Sequence, residues 1–516
     1  MQLSVTRRDG YFLLLAVVLV TIYVLVAGGG FPLDDSWIHQ TYGRNLALNG
    51  EWAFIPSEPS AASTSPLYTV LLAIGYFLRI PYKLWTHGLG IAALTVTAML
   101  GARLADRLVT GKQSPEKHAG LITGLAFIMT WHLLWAAAAG METMLFGMMS
   151  LLLIFLAWRE LDSERHHDSQ PLLLRGAIFG VVTALAALTR PEGIVLGGII
   201  ALTMLIVQPQ GNLKNVIFWG VGSAIGFGIA ISPYLWLNLQ LTGGILPNTA
   251  DAKFVQFAIR RENIAYIRRF YLLTQAIFAG GQFLLLVGIL AYIARIVTQQ
   301  HWRKVIFYLL PLWWSLALIA LYAERLPAWD QHGRYVMPAL PTLIVMGVVG
   351  TISLITWTRR SFLQRTLVRV LVLSTIVIYL IFVAWGIQIY RVDVAIIDSE
   401  MVTAAYWIRD NLPDDELLAI HDIGAVGYFA SRPILDVAGL VSPEVIPLID
   451  DPNAMWQYLQ DNQATYFFGF PDQIPGRDPN DPRLCEIYST DAKITQNIGQ
   501  PNMTLYRLAW DATCES

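Results

Sequence analysis

Long apolar runs recur along most of the chain, and they constrain its fold more than any other feature. The first covers about residues 11–29, and comparable runs return until about residue 388. A helix needs roughly 20 apolar residues to cross a bilayer. Charged residues make up only 14% of the chain, whereas soluble proteins carry about 25%. The sequence therefore predicts an α-helical polytopic membrane protein.

The basic residues predict how the chain is oriented. Arg7 and Arg8 precede the first run, and basic segments such as "TRRSFLQRTLVR" separate later runs. Because cytoplasmic loops collect Lys and Arg, we expect a cytoplasmic N-terminus and about eleven crossings. The predicted crossings lie at about residues 11–29, 87–104, 121–138, 143–158, 172–188, 194–207, 215–237, 271–295, 305–322, from 335, and 370–388.

Composition changes near residue 391, which predicts two domains. Residues 1–390 form the membrane domain, with a first exported loop at 30–86. Residues 391–516 are predicted to form an extracytoplasmic α/β domain, because "ELLAI", "RPILDV" and "ATYFFGF" read as strands and "NAMWQYLQDN" reads as a helix. The two cysteines, Cys485 and Cys514, lie in this segment. A disulfide and two free thiols are both open at this point.

The first exported loop carries two adjacent carboxylates, Asp34 and Asp35, in "FPLDDSWIHQTYGRNLALNGEW". An amphipathic helix is predicted directly after them, and Asp35 or Ser36 would cap its first N–H groups. A carboxylate at a helix N-terminus stays ionised, which is also the state that a proton acceptor needs. A second helix, at 65–80, is predicted to lie at the outer membrane interface.

Positive charges on the outer side of the membrane need a reason, because inner loops hold most of the basic residues. Arg and Lys can satisfy the oxygens of a phosphate with charge-assisted bonds, and snorkelling to lipid headgroups is the alternative. A phosphate pocket is favoured for Lys253 in "LPNTADAK" and for Arg334 in "DQHGRY". The other candidates on this side are Glu142, Arg190, Glu192, Asn248 and His332.

Seven stretches, taken in order, resemble the glycosyltransferase C superfamily of membrane enzymes. The resemblance is closest to bacterial cell-wall arabinofuranosyltransferases and mannosyltransferase-type relatives, and it covers about residues 31–445. The stretches are "LDDSWIHQTYGRNLALNGEWAF", "STSPLYTVLLA", "GMETMLF", "LTRPEG", "GGILPNTADAK", "GRYVMPALP" and "DIGAVGYFASRPILDVAGL".

The resemblance implies a role for each candidate residue. Asp34 would be the general base, and Asp35 would orient the acceptor or bind a divalent cation such as Mg²⁺, Mn²⁺ or Ca²⁺. The remaining residues would bind the donor and line its site: Glu142, Arg190, Glu192, Asn248, Lys253, His332 and Arg334.

An inverting transferase at the outer face of the plasma membrane is the resulting expectation. Nucleotide sugars are absent there, so the donor would be a polyprenyl-phosphate sugar carrying a pentose or hexose, with arabinofuranose as one candidate. The acceptor would be a glycan, a lipid or a protein, and membrane lipids would surround the enzyme. A net charge of −2 argues against nucleic acid as a partner. A transporter or flippase of lipid-linked sugars and a protein O-mannosyltransferase-like enzyme are the alternatives.

Overall fold

The protein is described here by a computed structural model of residues 5–109, 114–166, 171–209, 211–244, 249–357, 361–510 and 514. Its larger part is a bundle of apolar helices. Within these residues, eight helical segments are long and apolar enough to cross a membrane: Arg7–Val26, Tyr82–Leu108, Thr143–Leu161, Leu172–Thr189, Leu213–Leu241, Gly281–Gln299, Gln331–Thr356 and Phe362–Asn411.

Two further crossings are built from bent helix pairs. Ala119–Ile128 and Trp131–Ala138 meet at 56°, and Trp302–Tyr308 and Leu310–Arg325 meet at 55°. With these pairs the described residues hold up to ten crossings. The predicted eleventh corresponds to Gly193–Val207, which has only 15 residues. The multi-pass helical fold is therefore confirmed, whereas the count of eleven stays a prediction.

One predicted crossing, at 271–295, has the wrong bounds. A separate helix, Tyr266–Phe278, ends before Gly280, and the crossing is Gly281–Gln299. The glycine pair explains the break. Gly280 has a φ of 157°, and a Cβ at Gly281 would lie 2.4 Å from the ring of Tyr379. Only glycine fits so close to a neighbouring ring.

The loop after the first crossing, residues 30–86, forms two helices joined by a short hairpin. The helices are Asp35–Asn49 and Pro66–Phe77, and the strands Ala53–Ile55 and Glu58–Pro59 pair antiparallel between them. Pro66–Phe77 has 12 residues, which is too short for a crossing. The predicted helix at 65–80 is therefore present and does not span the bundle. Three short helices, Thr249–Gln256, Ala258–Asn263 and Tyr266–Phe278, lie farther along the chain.

The C-terminal segment forms a five-stranded sheet with helices, as predicted. Its strands follow the order Ile434–Asp436, Leu418–Ile420, Tyr466–Gly469, Thr504–Leu508, Leu484–Ser489. The first three are parallel and the last two are antiparallel to their neighbours. The three parallel strands were predicted from the sequence, whereas Thr504–Leu508 and Leu484–Ser489 were not. The helices are Thr403–Asn411, Gly424–Phe429, Pro452–Asp461 and Lys493–Asn497. Cys485 and Cys514 form a disulfide.

The last membrane helix continues directly into this domain. Phe362–Ile397 passes through one π-helical segment, Asp398–Val402, into Thr403–Asn411. The predicted boundary at residue 390 thus falls inside a continuous helix, and the domain division stays a prediction. Glu400 is fully buried and accepts hydrogen bonds from Asn502 Nδ2 at 2.6 Å and from the Met503 backbone at 2.9 Å. The helix is therefore fastened to the sheet domain.

This first loop and the sheet domain share one hydrophobic core. Phe31, Trp37 and Phe54 of the loop pack in the same cluster as Ile408 and Ile420 of the C-terminal segment. Burying such aromatic side chains contributes about 1.5–3 kcal/mol each. The loop and the sheet domain consequently lie at the same end of the helical bundle, and the space between them is where the candidate residues meet.

Candidate active site

Asp34 does not act as the local helix rules predict. It immediately precedes the helix Asp35–Asn49, yet neither Asp34, Asp35 nor Ser36 caps that helix with its side chain. The Asp34 carboxylate instead accepts hydrogen bonds from the backbone of Gly424 at 2.6 Å and of Ala425 at 2.8 Å. The predicted capping by Asp35 or Ser36 is wrong, because Asp35 bonds Arg334 and the Ser36 hydroxyl donates to the Ala139 carbonyl.

Glycine at position 424 makes this contact possible. A Cβ there would lie 2.1 Å from the backbone oxygen of Asp34, which no side chain can occupy. The glycine of "DIGA" thus allows the Asp34 loop to reach two backbone N–H groups of the sheet domain.

Asp35 points to two cations that come from distant parts of the chain. Its carboxylate accepts a hydrogen bond from Arg334 Nη2, and Lys253 Nζ lies 3.8 Å from the same oxygen. Tyr335 joins the group, because its hydroxyl accepts from Lys253 at 3.0 Å and from Arg334 at 2.9 Å. Burial raises the pKa of Asp35, but Lys253 and Arg334 outweigh burial and hold it well below its usual range. Asp35 is therefore ionised at physiological pH.

A cavity of about 330 Å³ lies between the first loop and the sheet domain, and we call it the polar chamber. Asp34 and Asp35 line it from the loop, and Asp422 lines it from the sheet domain. Burial raises the pKa of Asp34 to about 7, with a further contribution from the charge of Asp422. The two backbone hydrogen bonds oppose this rise. Asp34 therefore exchanges a proton in the physiological range, whereas Asp35 does not.

A larger cavity, of about 500 Å³, lies on the bundle side of the cation pair, and we call it the bundle cavity. Asp35, Lys253, Arg334 and Tyr335 line both cavities, so the two meet at the cation pair. The remaining wall of the bundle cavity is partly apolar. Its apolar residues include Met141, Pro191, Val195, Leu321 and Leu326.

A charged network forms the inner wall of the bundle cavity. Arg190 donates to Glu142 at 3.0 Å and lies 3.5 Å from Glu192, while His39 lies 3.4 Å from Glu142. Burial raises the pKa of Glu142, but the hydrogen bond with His39 and the charge of Arg190 outweigh burial and lower the pKa to about 2. Arg190 also donates to the hydroxyl of Tyr322 at 2.6 Å. These buried charges are thus mutually paired, as buried charges must be.

His332 lies outside this arrangement, contrary to what the resemblance implied. Its Nε2 lies 2.8 Å from Asp393, and its ring contacts Trp131 and Trp135 edge-on. Among the described residues that line the two cavities, His332 is not one. Gln331 and His332 have φ values of 51° and 61°, so the backbone makes a left-handed turn just before Arg334. The assignment of His332 to the donor phosphate stays a prediction.

A His332→Ala variant should accordingly leave the affinity for undecaprenyl phosphate within about twofold of the parent, because sites without shared partners act independently. Thermal unfolding should occur at a lower temperature, since the variant leaves Asp393 without its histidine partner. Equilibrium binding of the lipid to purified protein and a melting curve measure the two effects. A loss of affinity with unchanged melting would return His332 to the phosphate site.

The other site residues are placed as follows. Asp34, Asp35, Glu142, Arg190, Glu192, Lys253 and Arg334 all line one or both cavities. Asn248 lies outside the described residues, so its predicted role remains a prediction. Four further residues line these cavities and were not predicted as site residues: His39, Tyr335, His421 and Asp422. Tyr335 and Asp422 stand inside quoted motifs, "GRYVMPALP" and "DIGAVGYF", and that was the signal that could have found them.

The residues around Asp35 do not fit a divalent cation. Such an ion needs several oxygen ligands, whereas the Asp35 carboxylate faces Lys253 and Arg334, whose positive charges repel a second cation. Across the described parts of the chain, no group of three His, Cys, Asp or Glu side chains could hold a metal. The residues around Asp35 therefore supply no ligand set for a metal-assisted step.

Comparisons with known proteins show the fold. Residues 388–506 match a family model described as a domain of unknown function, DUF8728, and no curated protein matches the sequence. ArnT from Cupriavidus metallidurans, solved with undecaprenyl phosphate, has a TM-score of 0.59 at 13% identity and covers 98% of this chain and 99% of its own.

Two other solved structures extend the likeness. The oligosaccharyltransferase AglB from Archaeoglobus fulgidus, in complex with an inhibitory peptide and a dolichol-phosphate, has a TM-score of 0.57 at 12% identity, covering 98% of this chain and 75% of that chain. The arabinofuranosyltransferase AftD from Mycobacteria has a TM-score of 0.51 at 13% identity, covering 98% of this chain and 42% of that chain. This chain shares the fold of all three structures.

Proposed function

We propose that the protein is an inverting membrane glycosyltransferase that moves a sugar from a polyprenyl-phosphate donor to a hydroxyl group of an acceptor. The observation that carries the proposal is the pair of adjacent aspartates at the junction of two cavities, with one facing buried cations and the other facing the polar chamber. A leaving phosphate needs fixed positive charge, and an attacking hydroxyl needs a base. The site offers both within one cleft.

The donor phosphate is assigned to Arg334 and Lys253. Arg334 is only 5% exposed, and its Nε and Nη1 have no hydrogen-bond partner among the residues that the structure describes. Two unsatisfied guanidinium donors in a buried site are what a phosphate group can fill. The apolar wall of the bundle cavity would then receive the first isoprenoid units. The ArnT and AglB structures contain undecaprenyl phosphate and dolichol-phosphate, which supports this class of lipid.

In the transfer step, the acceptor oxygen forms a bond to the anomeric carbon from the side opposite the phosphate. The bond between that carbon and the phosphate oxygen breaks, and its electron pair leaves with the polyprenyl phosphate. The acceptor proton passes to Asp34. Arg334 and Lys253 stabilise the departing phosphate, while Asp35 keeps both cations in position. One base without a covalent nucleophile inverts the configuration at the anomeric carbon.

The placement of the site at the outer face rests on the shared core. A loop that follows the first crossing and a domain that follows the last one lie at the same end of the bundle only if the number of crossings is odd. Eleven crossings, with Gly193–Val207 as the short one, meet this condition. With Arg7 and Arg8 in the cytoplasm, the first loop and the sheet domain would both be extracytoplasmic, on the side where lipid-linked sugars replace nucleotide sugars.

The sugar is proposed to be a pentose or hexose, with arabinofuranose as the first candidate to test because of the likeness to AftD. A glycan, a lipid or a protein of the cell envelope would supply the acceptor hydroxyl. The direct experiment incubates the purified protein in detergent with labelled polyprenyl-phosphate pentoses and hexoses and with cell-envelope acceptors. Transfer of label supports the proposal. Movement of the lipid across vesicles without any transfer, for every donor, would instead indicate a flippase.

The pH dependence of the reaction follows from the protonation of Asp34. The base has to be deprotonated, and burial raises its pKa to about 7. We therefore expect kcat/KM to be constant above this pH and to fall about tenfold per pH unit below it. Asp35 adds no second limb there, because its pKa lies well below the usual range. Rates measured at subsaturating donor from pH 5 to 9 test this, and a flat profile would exclude Asp34 as the base.

A further inference from the structure

The polar chamber contains four carboxylates, and two of them have no Lys or Arg partner. Asp35 faces Arg334 and Lys253, and Asp330 is paired with Arg260. Asp34 and Asp422 form no ion pair with a lysine or arginine of the described residues. They belong to different domains and line the same chamber. Within one chamber, the negative charge of Asp422 acts on the protonation of Asp34.

Backbone geometry holds these two carboxylates close together. Asp422 follows the strand Leu418–Ile420 by two residues, and the N–H groups that bind Asp34 belong to Gly424 and Ala425. Asp34 is therefore bonded to the segment that begins two residues after Asp422. The distance between the two acids is consequently set by hydrogen bonds rather than by a flexible contact.

The Asp422 side chain is itself held in place from within the sheet domain. Gln473 Nε2 donates to its carboxylate at 2.7 Å, and His421 Nδ1 lies 3.2 Å from it. The same Gln473 amide lies 3.2 Å from His421 Nδ1. A carboxylate that is fixed by supporting hydrogen bonds acts on its neighbour through a constant field. None of these residues is needed for the phosphate half of the site.

We propose that Asp422 is a positioning residue of the transferase site, through which the C-terminal domain sets the proton affinity of Asp34. This proposal rests on the proposed function, since it concerns the base of that reaction. The negative charge of Asp422 makes it harder for Asp34 to lose its proton, and thereby matches the base to neutral pH. Its charge acts alongside the burial that raises the pKa of Asp34.

Few other charged groups lie around Asp34, and the sign of each charge decides whether it favours or opposes protonation of Asp34. Asp35 adds negative charge from the same loop, and the helix Thr249–Gln256 contributes Lys253. Asp330 directly precedes the crossing Gln331–Thr356 and Arg334 lies near its start, and their charges are opposite. His421 accompanies Asp422 from the sheet domain, and protonated His421 would weaken its effect. Besides Asp34 itself, Asp422 is therefore the chamber carboxylate without a Lys or Arg partner, and its removal should change this balance most.

The test measures protonation directly and does not need a known acceptor. Infrared difference spectra of the purified protein during a pH titration report the C=O stretch of protonated carboxyl groups. The band that disappears in Asp34→Asn belongs to Asp34. In Asp422→Asn we expect its midpoint to move to lower pH by about one unit, a tenfold weaker proton binding. Asn at 422 can still accept the hydrogen bond from Gln473, so the fold should be retained.

Three variants separate charge from structural damage. Asp422→Glu keeps the charge and should keep the midpoint. Asp330→Asn is the matched control, because it removes a chamber carboxylate that is already paired with Arg260, and it should leave the midpoint unchanged. His421→Gln removes the histidine beside Asp422, and because its protonated form would oppose the charge of Asp422, the midpoint should move to higher pH. This last variant keeps the proposal testable if Asp422→Asn does not fold.

The outcomes are decisive in either direction. An unchanged midpoint in both Asp422→Asn and His421→Gln would overturn the proposal, and so would an equal shift in Asp330→Asn. Undecaprenyl phosphate binding is measured on the same samples. If the parent protein does not bind undecaprenyl phosphate, the proposed function is contradicted, whereas the titration still reports on the effect of Asp422. The two failures are therefore distinguishable.

Discussion

Replacing Asp34 with asparagine should lower the rate of sugar transfer by about 10²–10⁴-fold, the usual contribution of a general base. The affinity for undecaprenyl phosphate should remain near that of the parent, because the phosphate site is formed by Arg334 and Lys253. Initial rates with saturating donor and an equilibrium binding experiment measure the two quantities. A rate within about threefold of the parent would remove Asp34 from the mechanism.

A structural explanation for such a loss has to be excluded, because Asp34 also binds the backbone of Gly424 and Ala425. Asparagine keeps one acceptor and places an amide against the other N–H group, which costs about 1–3 kcal/mol. The residual activity provides the distinction. It should no longer fall below neutral pH if Asp34 is the base, whereas a merely loosened domain contact would keep that dependence. Asp330→Asn, in the same chamber, should retain nearly full activity.

Replacing Arg334 with alanine should weaken undecaprenyl phosphate binding by about 30- to 100-fold, which is about 2–3 kcal/mol for the loss of a charge-assisted pair of hydrogen bonds. The side chain is 5% exposed, so little water can take its place. The same variant should slow transfer, because the departing phosphate loses its main cation. Titration of the purified protein with the lipid measures the effect.

The exposed Arg268, on the neighbouring helix Tyr266–Phe278, provides the matched control. Arg268→Ala removes the same charge from the protein surface and should change the affinity by less than about twofold, since exposed charges are screened. An Arg334→Ala affinity as high as that of Arg268→Ala would contradict the phosphate assignment. The double variant Asp35→Asn, Arg334→Ala shows how much of the loss comes from the aspartate left beside Lys253 alone.

Apolar runs and charge distribution were sufficient for the helical architecture, because each crossing is a local property of about 20 residues. The bent pairs and the break at Gly280 were less accessible, since they depend on which ring or helix lies opposite. The two antiparallel strands at the end of the sheet were missed for a similar reason. Leu484–Ser489 and Thr504–Leu508 are interrupted by polar residues, and pairing with their neighbours decides their structure.

The site shows the same division between local and tertiary causes. Asp35 and Arg334 are 299 residues apart, so only the resemblance to a family of enzymes could bring them together in advance. The helix rules predicted a cap at Asp35 or Ser36. The structure instead shows tertiary contacts at this loop, among them the N–H groups that the sheet domain donates to Asp34. His332 neighbours Arg334 in sequence and yet points elsewhere, because the left-handed turn at Gln331 and His332 has no reliable sequence signal.

The continuous helix from Phe362 to Asn411 has a consequence for how acceptors arrive. A domain that opens like a lid needs residues whose backbone angles can change, and an unbroken run of hydrogen-bonded turns, fastened at Glu400, provides none. The sheet domain above Asp34 is therefore expected to stay attached to the last membrane helix during the reaction. An acceptor is therefore expected to reach Asp34 past the exposed Gln256 and Gln331, which line the same chamber.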